Sequence, residues 1–383
     1  MSIRRREWTA RDGGRRSAWQ VDYVDQMGRR RSKQFARKKD AEAFLHQAQA
    51  EVRLGTHTVG RESVTVAQAA QNWLADRGRA NLEPTTLAAY EQHVRLHIVP
   101  LCGNVRLSEL TAPRVEGFLN SWSESLSPAM TKRVLRSFKA ILATAMRQGH
   151  VGHNVAIAVR TARRRRKQSI SIPSKTALRS ILDSASANGH PATGALMTLL
   201  IFTGLRISEA RGLSWSHVDL EKRTVSVVRR ANNAGVLGPP KSEAGTRTIP
   251  LPLICIATLR AWKLRCAPSE LNLVFPSPRG RVMNYGYMVQ RMLIPALAGA
   301  GEVDVRVEGG REVLTPRYSF HAFRHAAASL WIEQKLSPKR VQTLMGHSSI
   351  TMTFDVYGHL FEQHQSDHEV ATAMEAQIFS DAT

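Results

Sequence analysis

Cysteine is scarce in this 383-residue chain. Cys102, Cys255 and Cys266 are too few and too widely spaced for a disulfide framework or a metal knuckle. An odd count cannot pair completely, so the set reads as reduced thiols of a cytoplasmic protein. Long apolar runs are also lacking. The longest, Ala195–Phe202, is already broken by Thr198, far short of the roughly 18–20 residues that span a bilayer. The opening Met1-Ser2-Ile3-Arg4-Arg5-Arg6 leads into no apolar segment, so neither a secretory signal nor a membrane partner is expected. Neither a G-x-x-x-x-G-K phosphate loop nor an H-E-x-x-H zinc helix occurs. No carboxylate cluster suits a pair of metal ions. His93 and His97 have metal-like spacing, but with no third ligand they read as a helix face, and no metal or other cofactor is expected.

Acidic residues are scarce relative to basic ones. Asp+Glu number 31 against 54 Lys+Arg, a formal charge of +23 and a pI near 10.9. Such an excess points to a polyanionic partner, because each phosphate neutralised releases condensed counterions. Nucleic acid leads; an anionic membrane surface or a ribosome-associated role are the bland alternatives. The composition, 43% hydrophobic and 22% charged, belongs to a globular protein with real cores, and the length fits two or three domains.

Three blocks are expected, giving a multidomain, mainly α fold with small β-sheets. In residues 1–60, Trp19, Val21 and Tyr23 alternate with polar residues. A turn at Gly28 and a strand ending at Phe35 follow, then a helix from Asp40 to Arg53. Arg29, Arg30, Arg31 and Lys33 would project from this small sheet, and a two-stranded ribbon can enter the major groove. Residues 61–160 are helical in pattern, with starts at Pro84, Pro113 and Pro128. The last of these helices buries Val134, Leu135, Phe138, Ile141 and Leu142, while Lys132, Arg133, Arg136, Lys139 and Arg147 line another face that could follow a phosphate backbone. The run Arg163-Arg164-Arg165-Arg166-Lys167 cannot pack in a core, so it reads as a linker, with Arg164 and Arg165 as further candidate DNA contacts. Residues 161–383 mix long helices with strands at Thr224–Val228 and Arg247–Leu251 and a hairpin around Gly309-Gly310.

Four segments of the third block carry the chemistry. Thr203-Gly204-Leu205-Arg206-Ile207-Ser208-Glu209 joins two helices. His321-Ala322-Phe323-Arg324-His325 puts His321 and Arg324 on one helical face. Leu344-Met345-Gly346-His347 ends a helix at glycine, which should leave His347 at an exposed end. Tyr357 follows in Thr353-Phe354-Asp355-Val356-Tyr357, and Lys241 lies in a turn-rich segment between the first two. Singly, each has a dull explanation: a surface arginine, an exposed helix face, an aromatic packing residue.

In this order and with these flanks, the set closely resembles the tyrosine recombinases, or phage integrase family. The catalytic match runs from about residue 175 to 360; the helical block looks like the core-binding domain, and the first block like an arm-type DNA-binding domain. Phe323 stands where the family more often has leucine, an apolar site either way. The resemblance implies that Tyr357 attacks a DNA phosphate to give a 3′-phosphotyrosine and a free 5′ hydroxyl, without ATP or metal. Arg206 and Arg324 would clamp the phosphate, His321 and His347 would donate hydrogen bonds or accept the phenol proton, Lys241 would protonate the leaving oxygen, and Glu209 would support the site. Arginine suits the clamp because its planar fork meets two phosphate oxygens and stays charged. It implies as partners double-stranded DNA recombination sites, a homo-tetramer working through a Holliday junction, and room for a DNA-bending host factor and a directionality factor. In relatives a C-terminal segment docks on the adjacent protomer; here Val370, Ala373, Met374 and Ile378 form a modest stripe that could do so or pack on its own domain. The arm-like block tilts the reading toward an integrase of a phage or other mobile element. Competing readings are a type IB topoisomerase, which would relax DNA without pairing two sites, an inactive DNA-binding regulator, and a metal-dependent transposase.

Overall fold

The computed structural model describes residues 1–9, 14–25, 28–53, 63–80, 82–161, 171–187, 189–309, 311–361 and 367–379. The chain forms two compact units, Met1–Lys167 and Gln168–Thr383. Arg163–Lys167, with the candidate contacts Arg164 and Arg165, lies outside the described residues.

The first unit opens with a three-stranded antiparallel meander, β1 (Ser2–Thr9), β2 (Arg15–Val24) and β3 (Arg30–Phe35), followed by helix α1 (Lys38–Arg53). The period-two pattern puts Trp19, Val21, Tyr23 and Phe35 on one face, where they pack with Ala41, Phe44, Leu45 and Ala48 of α1. Asp25 fixes the β2–β3 turn. Its buried carboxylate accepts the Arg29 backbone N–H at 2.9 Å and Arg31 Nε at 2.8 Å. Strand β1 was not expected: only Ile3 packs into the core, arginines fill the positions around it, and an edge strand written this way shows no apolar alternation.

Helices α2 (Val66–Arg79), α3 (Pro84–Gln92), α4 (Val99–Cys102), α5 (Ala112–Ser125) and α6 (Pro128–Arg147) complete this unit around Trp73, Ile98, Trp122, Phe138 and Ile141. Thr65, Thr111 and Ser127 cap α2, α5 and α6 with side-chain oxygens. Between α3 and α4 the backbone widens into a π-helical turn, His93–Ile98. Pro100 has no N–H to continue the ordinary ladder, so the Val99 N–H reaches the Val94 carbonyl instead. His93 is buried there with Nδ1 2.9 Å from Ser137 Oγ, a satisfied core histidine.

The second unit begins with α7 (Lys175–Ala187), α8 (Thr193–Thr203) and α9 (Ile207–Gly212). Helix α8 contains the longest apolar run and is buried nearly all round. Strands β4 (Val218–Asp219), β5 (Thr224–Val227) and β8 (Arg247–Pro250) make one antiparallel sheet in that order. Between β5 and β8 the segment expected to be a plain turn builds its own small ladder, β6 (Arg230–Ala231) with β7 (Leu237–Gly238). Next come α10 (Leu253–Lys263), α11 (Tyr285–Met288), α12 (Ile294–Gly299) and the hairpin β9 (Val303–Glu308) and β10 (Arg311–Pro316). Helices α13 (Phe320–Glu333), α14 (Pro338–Met345), α15 (Ile350–Phe361) and α16 (Asp367–Phe379) close the chain. Leu196, Leu200, Ile249, Leu259, Phe275 and Phe323 belong to one core that joins α8, α10, α13 and the sheet. In α16, by contrast, Ala371–Ile378 are all exposed, Met374 and Ile378 among them.

Candidate active site

Two glycines place the arginines. Helix α8 stops where Gly204 enters the left-handed region at φ +59°, and α14 stops where Gly346 does so at φ +62°. At Gly346 space is as strict as φ: a Cβ there would lie 2.9 Å from both the Ala244 carbonyl oxygen and Arg247 Nη1. Beyond Gly204 the chain is extended at Arg206, the N-cap of α9, so the Arg206 side chain leaves the end of one helix and the start of the next.

A helix C-terminus leaves carbonyls without intrahelical partners and carries partial negative charge. At α14 three successive carbonyls each receive an arginine from a different part of the chain. Arg247 Nε donates to the Leu344 oxygen at 2.6 Å, Arg324 Nη2 donates to Met345, and Arg206 Nη2 donates to Gly346 at 3.3 Å. Arg324 Nη1 also caps α8 through the Gly204 oxygen at 2.7 Å. Three guanidinium groups are therefore gathered on one helix end. Mutual repulsion is offset by these carbonyls and by one carboxylate.

That carboxylate is Glu209, 3% exposed. Arg206 gives it a backbone N–H at 2.9 Å and Nη1 at 2.8 Å, and Arg247 gives it Nη1 at 3.2 Å and Nη2 at 2.9 Å. Burial alone would raise its pKa; hydrogen bonds and charge from Arg247, then charge from Arg206 and Arg324, hold it below the ordinary carboxylate value. Arg324 is wholly buried, and burial together with the Arg206 charge pulls its pKa down to about 9, which leaves it charged near neutral pH.

The histidines divide. His347, expected at an exposed helix end, is buried, because after Gly346 the chain turns back under α15 and its Nδ1 meets Thr353 Oγ1 at 3.0 Å. Burial, then the charges of Arg324, Arg206 and Arg247, bring its pKa to about 4. His321 stands on the same helix as Arg324, and its pKa is lowered by desolvation, then by Arg324 and Arg206. Tyr357 on α15 is buried, and its hydroxyl lies 2.6 Å from Nδ1 of His325. Burial raises the phenol's pKa above its ordinary value, against a smaller lowering by Arg324. The sequence pointed to His321 or His347 as the phenol's proton acceptor; the side chain that meets the hydroxyl in the structure is His325, one turn beyond His321.

The structure thus gathers Arg206, Glu209, His321, Arg324, His347 and Tyr357 and adds Arg247 and His325. Both additions had a signal. Arg247 alternates with Ile249 and Leu251, so it sits at an inward position of its strand, and His325 lies four residues after His321 on one helix face. Lys241 is exposed in the turn between β7 and β8.

Of the basic residues of the first unit, Arg30 is exposed on the open face of the sheet, which it shares with Arg4 and Arg6 of β1. Arg29 is exposed in the turn. Arg31 and Lys33 instead lie on the helix-covered face. Arg31 pairs with Asp25, and Lys33 Nζ sits 4.4 Å from the Phe44 ring centroid. On α6, Lys132, Arg133 and Arg136 are exposed. Lys139 turns inward, its Nζ donating to the carbonyls of Ile157 at 3.1 Å and Val159 at 2.6 Å.

One mixed domain thus brings three arginines to the end of α14, beside a tyrosine borne on α15. The profile of the phage integrase family matches residues 174–364, and that of the phage integrase central domain matches residues 66–162. A "Tyrosine recombinase XerC-like" protein of Caldanaerobacter subterraneus subsp. tengcongensis is 25% identical over 350 residues, covering 86% of this chain and 88% of the relative. The Tn1549 transposon integrase, solved with a circular-intermediate DNA, superposes with a TM-score of 0.67 at 22% identity, over 82% of this chain and all of that one. A lambda integrase tetramer bound to a Holliday junction gives 0.59 at 18% identity, over 90% of this chain and 96% of that one. The chain belongs to the phage integrase family of tyrosine recombinases.

Proposed function

We propose that this protein is a site-specific DNA recombinase of a phage or other mobile element, cutting and rejoining DNA through a covalent 3′-phosphotyrosine. The convergence of Arg206, Arg247 and Arg324 on the C-terminal carbonyls of α14, beside the helix that carries Tyr357, supports this reading most directly. Three cations against one carboxylate leave a net positive centre. Arg206 is the least enclosed of the three, one third exposed, and it presents the charge to an incoming phosphate. In an attack on a phosphodiester, negative charge grows on the non-bridging oxygens, and Arg206 and Arg324 stabilise it without reorganising first. His321 and His347 supply further donors to those oxygens. Glu209 holds Arg206 in place. Lys241, on an exposed turn, protonates the 5′ oxygen as it leaves.

The first unit supplies the DNA grip in this reading, residues 1–60 as an arm-binding domain and 61–160 as a core-binding domain. The open sheet face with Arg30 and the exposed α6 residues Lys132, Arg133 and Arg136 are its contacts. Phosphate contacts of this kind position a protein and carry no base sequence. Strand exchange between two sites places four copies on a Holliday junction, and the uncovered Met374 and Ile378 of α16 are available to a neighbouring copy. A DNA-bending host factor and a directionality factor are compatible partners. Among the described residues no helix is long and apolar enough to cross a membrane.

The test is covalent trapping in EDTA. Nicked duplexes drawn from the DNA flanking the gene lose the short cleaved strand, so a phosphotyrosine cannot religate. A protein–DNA adduct that survives denaturation is expected with the correct duplex; failure of every duplex would reject the reading. With that duplex, Lys241→Ala should slow adduct formation about 10²–10⁴-fold, as for other general acids. A sulfur in place of the bridging 5′ oxygen leaves without a proton and should restore the rate. A variant equally slow on both substrates would remove Lys241 from this role.

A further inference from the structure

We infer that His325 takes the proton from the Tyr357 hydroxyl as the phenol attacks DNA. This deepens the strand-cleavage reading above and rests on it. The hydroxyl lies 2.6 Å from His325 Nδ1, and the two rings are 5.7 Å apart, tilted by 56°. The other histidines are placed differently. His347 Nδ1 faces Thr353 Oγ1 at 3.0 Å. The His321 ring meets that of His325 edge-on, with centroids 4.7 Å apart, so His325 is in contact with both His321 and the phenol.

The contact is chemically specific. In this proposal the phenol donates its O–H to the Nδ1 lone pair, the tautomer in which the ring proton sits on Nε2. Burial, then the neighbouring His321 and Arg324, bring the His325 pKa down to about 4. The ring is therefore neutral, with its lone pair available, through the physiological range. Such an imidazole leaves the resting phenol protonated. Transfer belongs to the attack itself, when the bond to phosphorus drains electron density from the phenolic oxygen and makes its proton acidic. The step balances. The Tyr357 O–P bond forms and the O–H bond breaks, with that proton going to His325 Nδ1. The bond from phosphorus to the 5′ oxygen breaks, and the leaving oxygen is protonated by Lys241. The imidazolium beside His321 then returns its proton to solvent, or to the phenol when the strand is rejoined.

Single-turnover adduct formation on the nicked duplex, with the full-length protein, tests this. Asparagine places a carbonyl oxygen near the position of Nδ1, so His325→Asn keeps an acceptor for the phenol but has no basicity. Both His325→Asn and His325→Ala are expected to slow the adduct about 10²-fold or more, with DNA affinity close to wild type and a lowered urea midpoint in His325→Ala, which leaves the buried phenol unpaired. Added imidazole should restore part of the rate of His325→Ala in proportion to its concentration. A near-normal rate in His325→Asn would make the contact a positioning one and overturn the proposal. So would an unchanged or faster rate in either variant, or a slow His325→Ala that imidazole does not help. Should the alanine variant fail to fold, the asparagine variant alone decides. Absence of any wild-type adduct would instead reject strand cleavage itself.

Discussion

Tyr357→Phe is expected to form no detectable covalent adduct on the nicked duplex while remaining folded and able to bind DNA. The substitution removes one oxygen. The ring keeps its place among Ala328, Ile332, Val341 and Met345, so no cavity opens and the helix that carries it is undisturbed. What disappears is the hydroxyl that forms the ester in the proposed mechanism, together with its hydrogen bond to His325 Nδ1. Losing that bond costs about 0.5–1.5 kcal/mol, a modest shift in the urea midpoint, and affinity for the duplex should stay within about twofold because phosphate contacts carry most of it. An adduct yield equal to wild type on a denaturing gel would show that another residue is the nucleophile.

The second large effect is structural. Arg247→Met should destabilise the second unit by about 3–5 kcal/mol, the usual result of stripping one partner from a buried pair. Arg247 and Glu209 are 2% and 3% exposed at their side chains. Methionine fills much of the volume but leaves the Glu209 carboxylate with Arg206 alone and the Leu344 carbonyl without its side-chain donor. Denaturant unfolding measures the loss. Its pH dependence has a definite sign. In the wild type Glu209 is held below its ordinary value of 4.5, so its contribution is fully present above that pH and declines as pH falls through the folded-state value. In the variant the hydrogen bonds and charge of Arg247 that lower the group are gone, so Glu209 binds its proton at higher pH than in the wild type and less stability is lost on protonation. The gap between the two proteins should narrow as pH drops below about 4.5. A gap that stays constant across this range would show that Glu209 is not what Arg247 holds.

Much of the fold could be read from pattern. Helix starts at Pro84 and Pro128 and the inward face of α6 follow from proline, capping and 3.6-residue periodicity, which are local. The strands around Val225 and Ile249 likewise announce themselves by alternation. Strand β1 did not, because arginines at its exposed edge erase the pattern. The π-turn at His93–Ile98 did not either, since it arises from a missing N–H two residues downstream of the helical stripe. In the site, motif order singled out Arg206, His321, Arg324, His347 and Tyr357, and tertiary packing corrected their surroundings: His347 is buried, and His325 rather than its neighbours meets the phenol.

Sequence alone determined which chemical groups this chain can bring to a phosphate, and in what order they follow, because residue type and spacing are written there directly. It also determined where helices end, through Gly204 and Gly346, since the left-handed turn needs no long-range partner. Only the tertiary structure decided which cation meets which oxygen. Arg206, Arg247 and Arg324 are far apart along the chain, and the helix end that gathers them exists only once α14, β8 and α13 have packed together. Partner choice among like-charged groups depends on distances of a few ångströms, which no periodicity encodes.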